Sequence, residues 1–151
     1  AVRFKDKSDR LLFEIINEPS NVELNNSKAN LTIAQVNELN ARILSIIRKT
    51  NPTRLVVFSG NNWSGPWDLV KISVPDKNDA YLMAYYHSYD PYLFGLEGEG
   101  TYGSVTDINA TKEIFTMVSK WSVDNNIPVI LGEFGVKKVN KSKKRENKPL
   151  L

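Results

Sequence analysis

Two apolar runs in this chain close on a glutamate, and both have the length and bounding residues of buried strands. The first is Leu11-Leu12-Phe13-Glu14-Ile15-Ile16-Asn17-Glu18-Pro19, and the second is Ile127-Pro128-Val129-Ile130-Leu131-Gly132-Glu133-Phe134-Gly135. Short β-branched or aromatic runs that break at Asn, Gly or Pro read as strands. Parallel α/β sheets place their chemistry where the strand gives way to its loop. The pattern predicts four strands: Leu11–Ile16, Arg54–Phe58, Tyr81–His87 and Val129–Leu131.

Helical patterns separate them. Thr32 and Gln35 stand at capping-box spacing, and Val36, Leu39, Ile43 and Ile46–Ile47 follow at steps of three and four. Asn51-Pro52 ends that helix, because proline disfavours helix in the residue before it. A second helix is expected from Asp107, as its cap, through Ile114, Val118 and Trp121 to Asn125-Asn126. Only a short helical turn fits around Trp67–Val70, and the stretch from Tyr89 to Val105 reads as a long loop, either functional or only a mobile connection. Strand–helix–strand alternation implies parallel pairing with right-handed crossovers. A closed (β/α)8 barrel takes about 250 residues. The chain has 151. The expected fold class is therefore α/β: a partial, half TIM-type barrel of about four parallel strands, over residues 1–136.

Charge narrows the partners. The net charge is +3, but residues 137–148 hold seven Lys/Arg against one Glu, leaving 13 basic and 16 acidic side chains elsewhere. A mildly acidic body with a basic tail is not a nucleic-acid surface, and no nucleic-acid partner is expected. The tail, 137–151, lacks periodicity and is expected to be disordered. With no cysteine there are neither disulfides nor thiolate metal sites. No run approaches the roughly 20 apolar residues of a membrane span, and the first residues show no apolar signal segment.

Two carboxylates on strands of one sheet suggest the acid and nucleophile of a sugar-cleaving enzyme. Glu14 shares the parity of Ile16 and Glu18. It lies about 13 Å below Glu18, too deep for a cleft, and reads as a buried polar residue needing a partner. Val129, Leu131 and Glu133 also share a parity, which would set Glu133 on the inward face. His87 and Tyr89 lie on one strand face and reach one cleft. A lone histidine is more often structural than catalytic, and Trp63 reads equally as core filler or as a platform for a pyranose ring.

In sequence order and strand placement, Asn17-Glu18-Pro19, His87-Ser88-Tyr89 and Glu133 resemble the motifs of glycoside hydrolase family 5, the cellulases, over its fourth to seventh βα units. The resemblance implies that Glu18 is the general acid/base, Glu133 the nucleophile, Asn17 a ligand of the sugar 2-hydroxyl, Tyr89 a partner of the nucleophile, and His87 an organiser of both carboxylates. It implies a retaining β-1,4-glucanase acting on β-glucan, secreted, with no cofactor and no metal. Strands that would bring an arginine, a second histidine and a further tryptophan in this family are not found here. A non-catalytic glucan-binding module, an inert barrel piece, and a mannanase or xylanase of the same clan remain as alternatives. The open edges of half a barrel predict a homodimer. Glycosylation sequons occur at Asn25, Asn30, Asn62, Asn109 and Asn140, and a glycan on Asn62 would crowd the cleft.

Overall fold

The computed structural model describes residues 1–20 and 31–138. Four parallel strands form one sheet in the order β1 (Phe13–Glu14), β2 (Val56–Phe58), β3 (Leu82–His87) and β4 (Val129–Glu133). Helix α1 (Ile33–Arg48) and the short α2 (Pro66–Leu69) follow the first two strands, and α3 (Tyr92–Gly95) and α4 (Val105–Asn125) lie between the last two. This is half of a (β/α) barrel, as expected. Strand β1 is shorter than the Leu11–Ile16 run, although its ladder continues as Ile15 N–H donates to the Val57 carbonyl at 3.1 Å. The supposed loop from Tyr89 to Val105 contains α3, and a single 3-10 turn, Val2–Phe4, precedes β1.

One face of the sheet is closed by helices. Val56 and Phe58 of β2 and Leu82, Ala84 and Tyr86 of β3 are buried against Val36, Leu44 and Ile47 of α1 and Ile114, Val118 and Trp121 of α4. Phe58 is wholly buried and meets Trp121 edge-on at 6.5 Å; burial of one such side chain contributes about 2–3 kcal/mol. The buried stripe of α1 is Val36, Asn40, Leu44 and Ile47. Ile46, expected inside, is exposed, and Leu39 and Ile43 only flank the stripe. Asn40 is tolerated at the stripe because its Nδ2 donates to the Ser59 carbonyl at 3.0 Å. At the start of α4, Ser104 is the cap and Asp107 reciprocates from the third helical position. The expected Asp107 cap was thus the other half of a capping box.

The second face carries Glu14, Ile16, Tyr85 and Ile130. Glu14 is exposed there rather than buried, because among the described residues no element covers that face over β1. It lies near the Tyr85 hydroxyl, whose pKa it helps to raise. Ile16 and Tyr85 meet on this face, where the Tyr85 hydroxyl donates to the Ile16 carbonyl. Val129 and Leu131 instead pack on the helical side, since they pair with Ala84 and Tyr86. Their parity with Glu133 fails at a bulge: Tyr86 pairs with Leu131, but His87 pairs with Glu133. The extra residue, Gly132, reverses the alternation and brings Glu133 beside His87.

Two arginines tie the N-terminal end of the sheet. Arg54 donates to the main-chain carbonyls of Phe4, Lys7, Ser8 and Leu11, and its guanidinium stacks 5.3 Å above the Phe13 ring. Arg48 pairs with Asp79 at 2.5 Å and donates to the carbonyls of Asn51, Arg54 and Tyr81.

Candidate active site

The chemistry collects at the C-terminal ends of the strands. Glu18 ends the segment after β1, His87 closes β3, Tyr89 follows two residues later, and Glu133 closes β4. His87 Nδ1 lies 2.8 Å from Glu18 Oε1 and 3.6 Å from Glu133 Oε2. The imidazole is 5% exposed, against 30% for the Glu18 side chain and 42% for that of Glu133. A buried ring therefore bridges two carboxylates that keep access to solvent. Tyr89 donates its hydroxyl to Glu133 Oε2 at 2.9 Å. That bond is the first cause of a raised phenol pKa, with the negative charges of Glu133 and Glu18 adding to it, so the hydroxyl stays a donor.

Local sequence explains how each group is held. Gly132 lets β4 pass against the imidazole: a Cβ there would lie 3.3 Å from His87 Cδ2 and Nε2. Ser88 N–H donates to the Glu133 carbonyl at 3.0 Å, locking the two strand ends together. Gly95 does the same for Tyr89, because a Cβ on α3 would sit 1.9 Å from the Tyr89 carbonyl oxygen. Non-glycine residues in the left-handed region cluster here: Glu18 at φ +48°, and Asn62, Trp63 and Ser64 at +54°, +55° and +56°. Each costs of order 1 kcal/mol, and such strain persists only where surrounding structure enforces it. Trp63 N–H donates to the Pro19 carbonyl at 3.2 Å, and His87 N–H to the Ser64 carbonyl at 2.9 Å.

Glu18, His87, Tyr89, Glu133 and Trp63 line one open cleft of about 630 Å³. Asn17 is exposed beside Glu18 and is not among the lining residues. Trp63 is 53% exposed and so is not core filler. Sequence reading missed Trp67 and Tyr92, which face the same cleft and are 48% and 57% exposed. Their signal was the recurrence of aromatics in the loops after two strands. Asn62, the sequon residue, also lines the cleft. Asn25, Asn30 and Asn140 lie outside the described residues, as does the tail from residue 139.

One atom each of Glu18, His87 and Glu133 lies within 4.8 Å of the others, the one trio with metal-ligand spacing among the described residues. Two ligands of a tetrahedral zinc ion stand roughly 3.3 Å apart at its usual bond lengths. The 2.8 Å Glu18–His87 contact is instead that of a shared proton.

Residues 1–150 match the family model for cellulase, glycosyl hydrolase family 5. Endoglucanase H of Acetivibrio thermocellus is 47% identical over 136 residues, which is 90% of this chain and 14% of that protein. Crystal structures of Thermotoga maritima Cel5A, one a mutant form with cellobiose and one with mannotriose, are each 29% identical, with TM-scores of 0.78 and 0.79. They match 93% and 95% of this chain, which spans 46% and 47% of theirs. The chain spans about half the length of those structures. The chain belongs to glycosyl hydrolase family 5, the cellulases.

Proposed function

We propose that this chain carries the catalytic strands of a retaining endo-β-1,4-glucanase. The observation that supports this best is the Glu18–His87–Glu133–Tyr89 array at adjoining strand ends, with both carboxylates open to one cleft. Glu133, held by Tyr89, attacks the anomeric carbon as the glycosidic C–O bond breaks. Glu18 gives its proton to the departing oxygen. Water then attacks the glycosyl ester, Glu18 takes the water proton, and Glu133 leaves as carboxylate. Oxygens within 4.8 Å support retention, because inverting pairs stand about 6.5–9.5 Å apart. The chemistry needs two carboxylates and water, with no cofactor. Trp63 and Trp67 offer stacking faces for pyranose rings, and Asn17 the polar contact to the sugar that the resemblance implies.

Glu133→Gln is expected to lower turnover on carboxymethyl cellulose by at least about a thousandfold with an unchanged melting temperature. Azide should partly rescue Glu18→Ala on an activated aryl cellobioside. Wild-type-like activity in Glu133→Gln overturns the assignment. A mannan-cleaving reading has a specific source, since the Thermotoga relative was solved with mannotriose as well as with cellobiose; the ratio of initial rates on mannan and β-glucan decides it.

Three further proposals follow from the same frame. Residues 1–136 form the catalytic unit, with 137–151 dispensable to its folding. The substrate, a polymer too large to cross a membrane, places the protein's action outside the cell; among the described residues no helix is long and apolar enough to span a bilayer. In isolation the 151-residue chain forms a homodimer over its open face, where Leu12, Ile16 and Ile130 are 43%, 38% and 49% exposed. Light scattering at low micromolar concentration tests this, and a folded species of monomer mass rejects it.

A further inference from the structure

Beneath the carboxylates lies a buried hydroxyl cluster that the hydrolytic steps do not themselves use. Tyr85 donates its hydroxyl to the Ile16 carbonyl at 2.6 Å, 69 residues away in sequence. Ser64 Oγ donates to that same hydroxyl at 3.3 Å, and Ser59 Oγ lies 2.9 Å from Ser64 Oγ. Tyr85, Ser59 and Ser64 are 3%, 1% and 0% exposed. Glu14 approaches the phenol from β1. Burial first, with a smaller push from Glu14, raises the Tyr85 phenol to about 12, so it remains a proton donor across the working range of any glycosidase.

The cluster joins three parts of the site. Ile16 stands two residues before Glu18. Ser64 ends the left-handed run that carries Trp63, and its carbonyl accepts from the His87 N–H at 2.9 Å. One hydroxyl therefore links the segment bearing the acid/base, the turn bearing the sugar platform and the strand bearing the imidazole. Glu18 has a backbone in the left-handed region, at φ +48°, which relaxes unless its approach is fixed.

We infer that Tyr85 is a positioning residue: by gripping the Ile16 carbonyl, its hydroxyl keeps the Glu18 carboxyl on His87 Nδ1 and aimed at a leaving-group oxygen. The inference rests on Glu18 being the acid. Loss of the grip frees a main-chain carbonyl two residues from the carboxyl, and a misplacement of about 1 Å costs on the order of a hundredfold in rate. A tyrosine that only fills the core and satisfies its own hydroxyl would, if altered, lower stability and leave the site geometry alone.

Tyr85→Phe removes one oxygen and keeps the ring that lies 5.2 Å from the His87 ring. The chain has a single histidine, so its imidazole ¹H–¹⁵N spectrum reports on His87 alone. The variant is expected to move the Nδ1 resonance toward its solvent value. On phenyl cellobioside, whose leaving group needs a proton, kcat should fall about tenfold to a hundredfold at unchanged KM. On 2,4-dinitrophenyl cellobioside, which leaves without a proton, kcat/KM, which reports the glycosylation step alone, should change less than about twofold. Ser64→Ala, which removes the second bond to the phenol, should shift the same resonance by a smaller amount, and it decides the matter if Tyr85→Phe does not fold. An imidazole spectrum unchanged in the folded variants, or equal losses on both substrates, overturns the inference. If the unsubstituted chain cleaves neither substrate, the glucanase reading fails by itself while the imidazole spectrum still judges the grip.

Discussion

The two ends of the sheet use charged side chains in opposite ways. At the N-terminal end, Arg48 and Arg54 are enclosed by main-chain carbonyls and, for Arg48, by Asp79; Arg54 Nε is their one nitrogen without a partner. Their hydrogen-bonding capacity is almost wholly consumed in holding loops together. At the C-terminal end, Glu18 and Glu133 each keep exposed surface, and the backbone is strained at Glu18 and from Asn62 to Ser64. Closed valence gives stability, and open valence leaves groups free to meet a substrate. The sheet separates the two tasks by about the length of its strands, so either can be altered with little effect on the other.

The largest stability effect should come from Arg54. Arg54→Met removes the guanidinium, losing its stack on Phe13 and freeing the four carbonyls of the N-terminal segment. The expected cost is about 3 kcal/mol, from the loss of charge-assisted hydrogen bonds, read as a lower urea midpoint. A variant as stable as the parent would break the contrast between the two ends.

Arg48→Met should cost roughly 2–3 kcal/mol, somewhat under the loss for a fully buried pair. It also changes the acid response. Burial pushes the Asp79 carboxyl up, but the Arg48 hydrogen bond, the Tyr81 N–H and the Arg48 charge together hold it below its ordinary 3.8. A carboxyl depressed in the folded state adds stability above its unfolded pKa and loses it as pH falls through the folded value. The parent should therefore lose stability below about pH 4 more steeply than Arg48→Met does. Parallel stability-versus-pH curves for the two would contradict the pairing.

At the opposite end the sign of the trade reverses. Tyr89→Phe removes a single part-buried hydroxyl bond, so its effect on the melting temperature should be small. Its kcat should nevertheless fall more than tenfold, because Glu133 loses its fixed donor. The smallest effect is expected from truncation after Val136. That cut removes one described contact, the Lys137 N–H to the Gly95 carbonyl at 2.8 Å, and a melting-temperature shift beyond a few degrees would show that the tail packs on the body.

Local chemistry determined much of this protein. The period-two and period-3.6 patterns placed all four strands and both long helices, and the Thr32 capping box and the Asn125-Asn126 stop were readable because they depend on residues at most four apart. The glutamates at strand ends, with His87 and Tyr89 on one parity, were visible for the same reason. What only the tertiary structure decided involves partners far apart in the chain. The bulge that turns Glu133 to the cleft depends on how β4 registers against β3, and no count of parity along β4 alone contains it. Which face is covered decided that Glu14 stays exposed. The Tyr85 grip on Ile16 joins residues 69 positions apart, and the Arg54 grip on Phe4 joins residues 50 apart. Periodicity fixes which side chains share a face, but register and long-range hydrogen bonds emerge only when separate strands meet, and here they set how Glu18, His87 and Glu133 face one another.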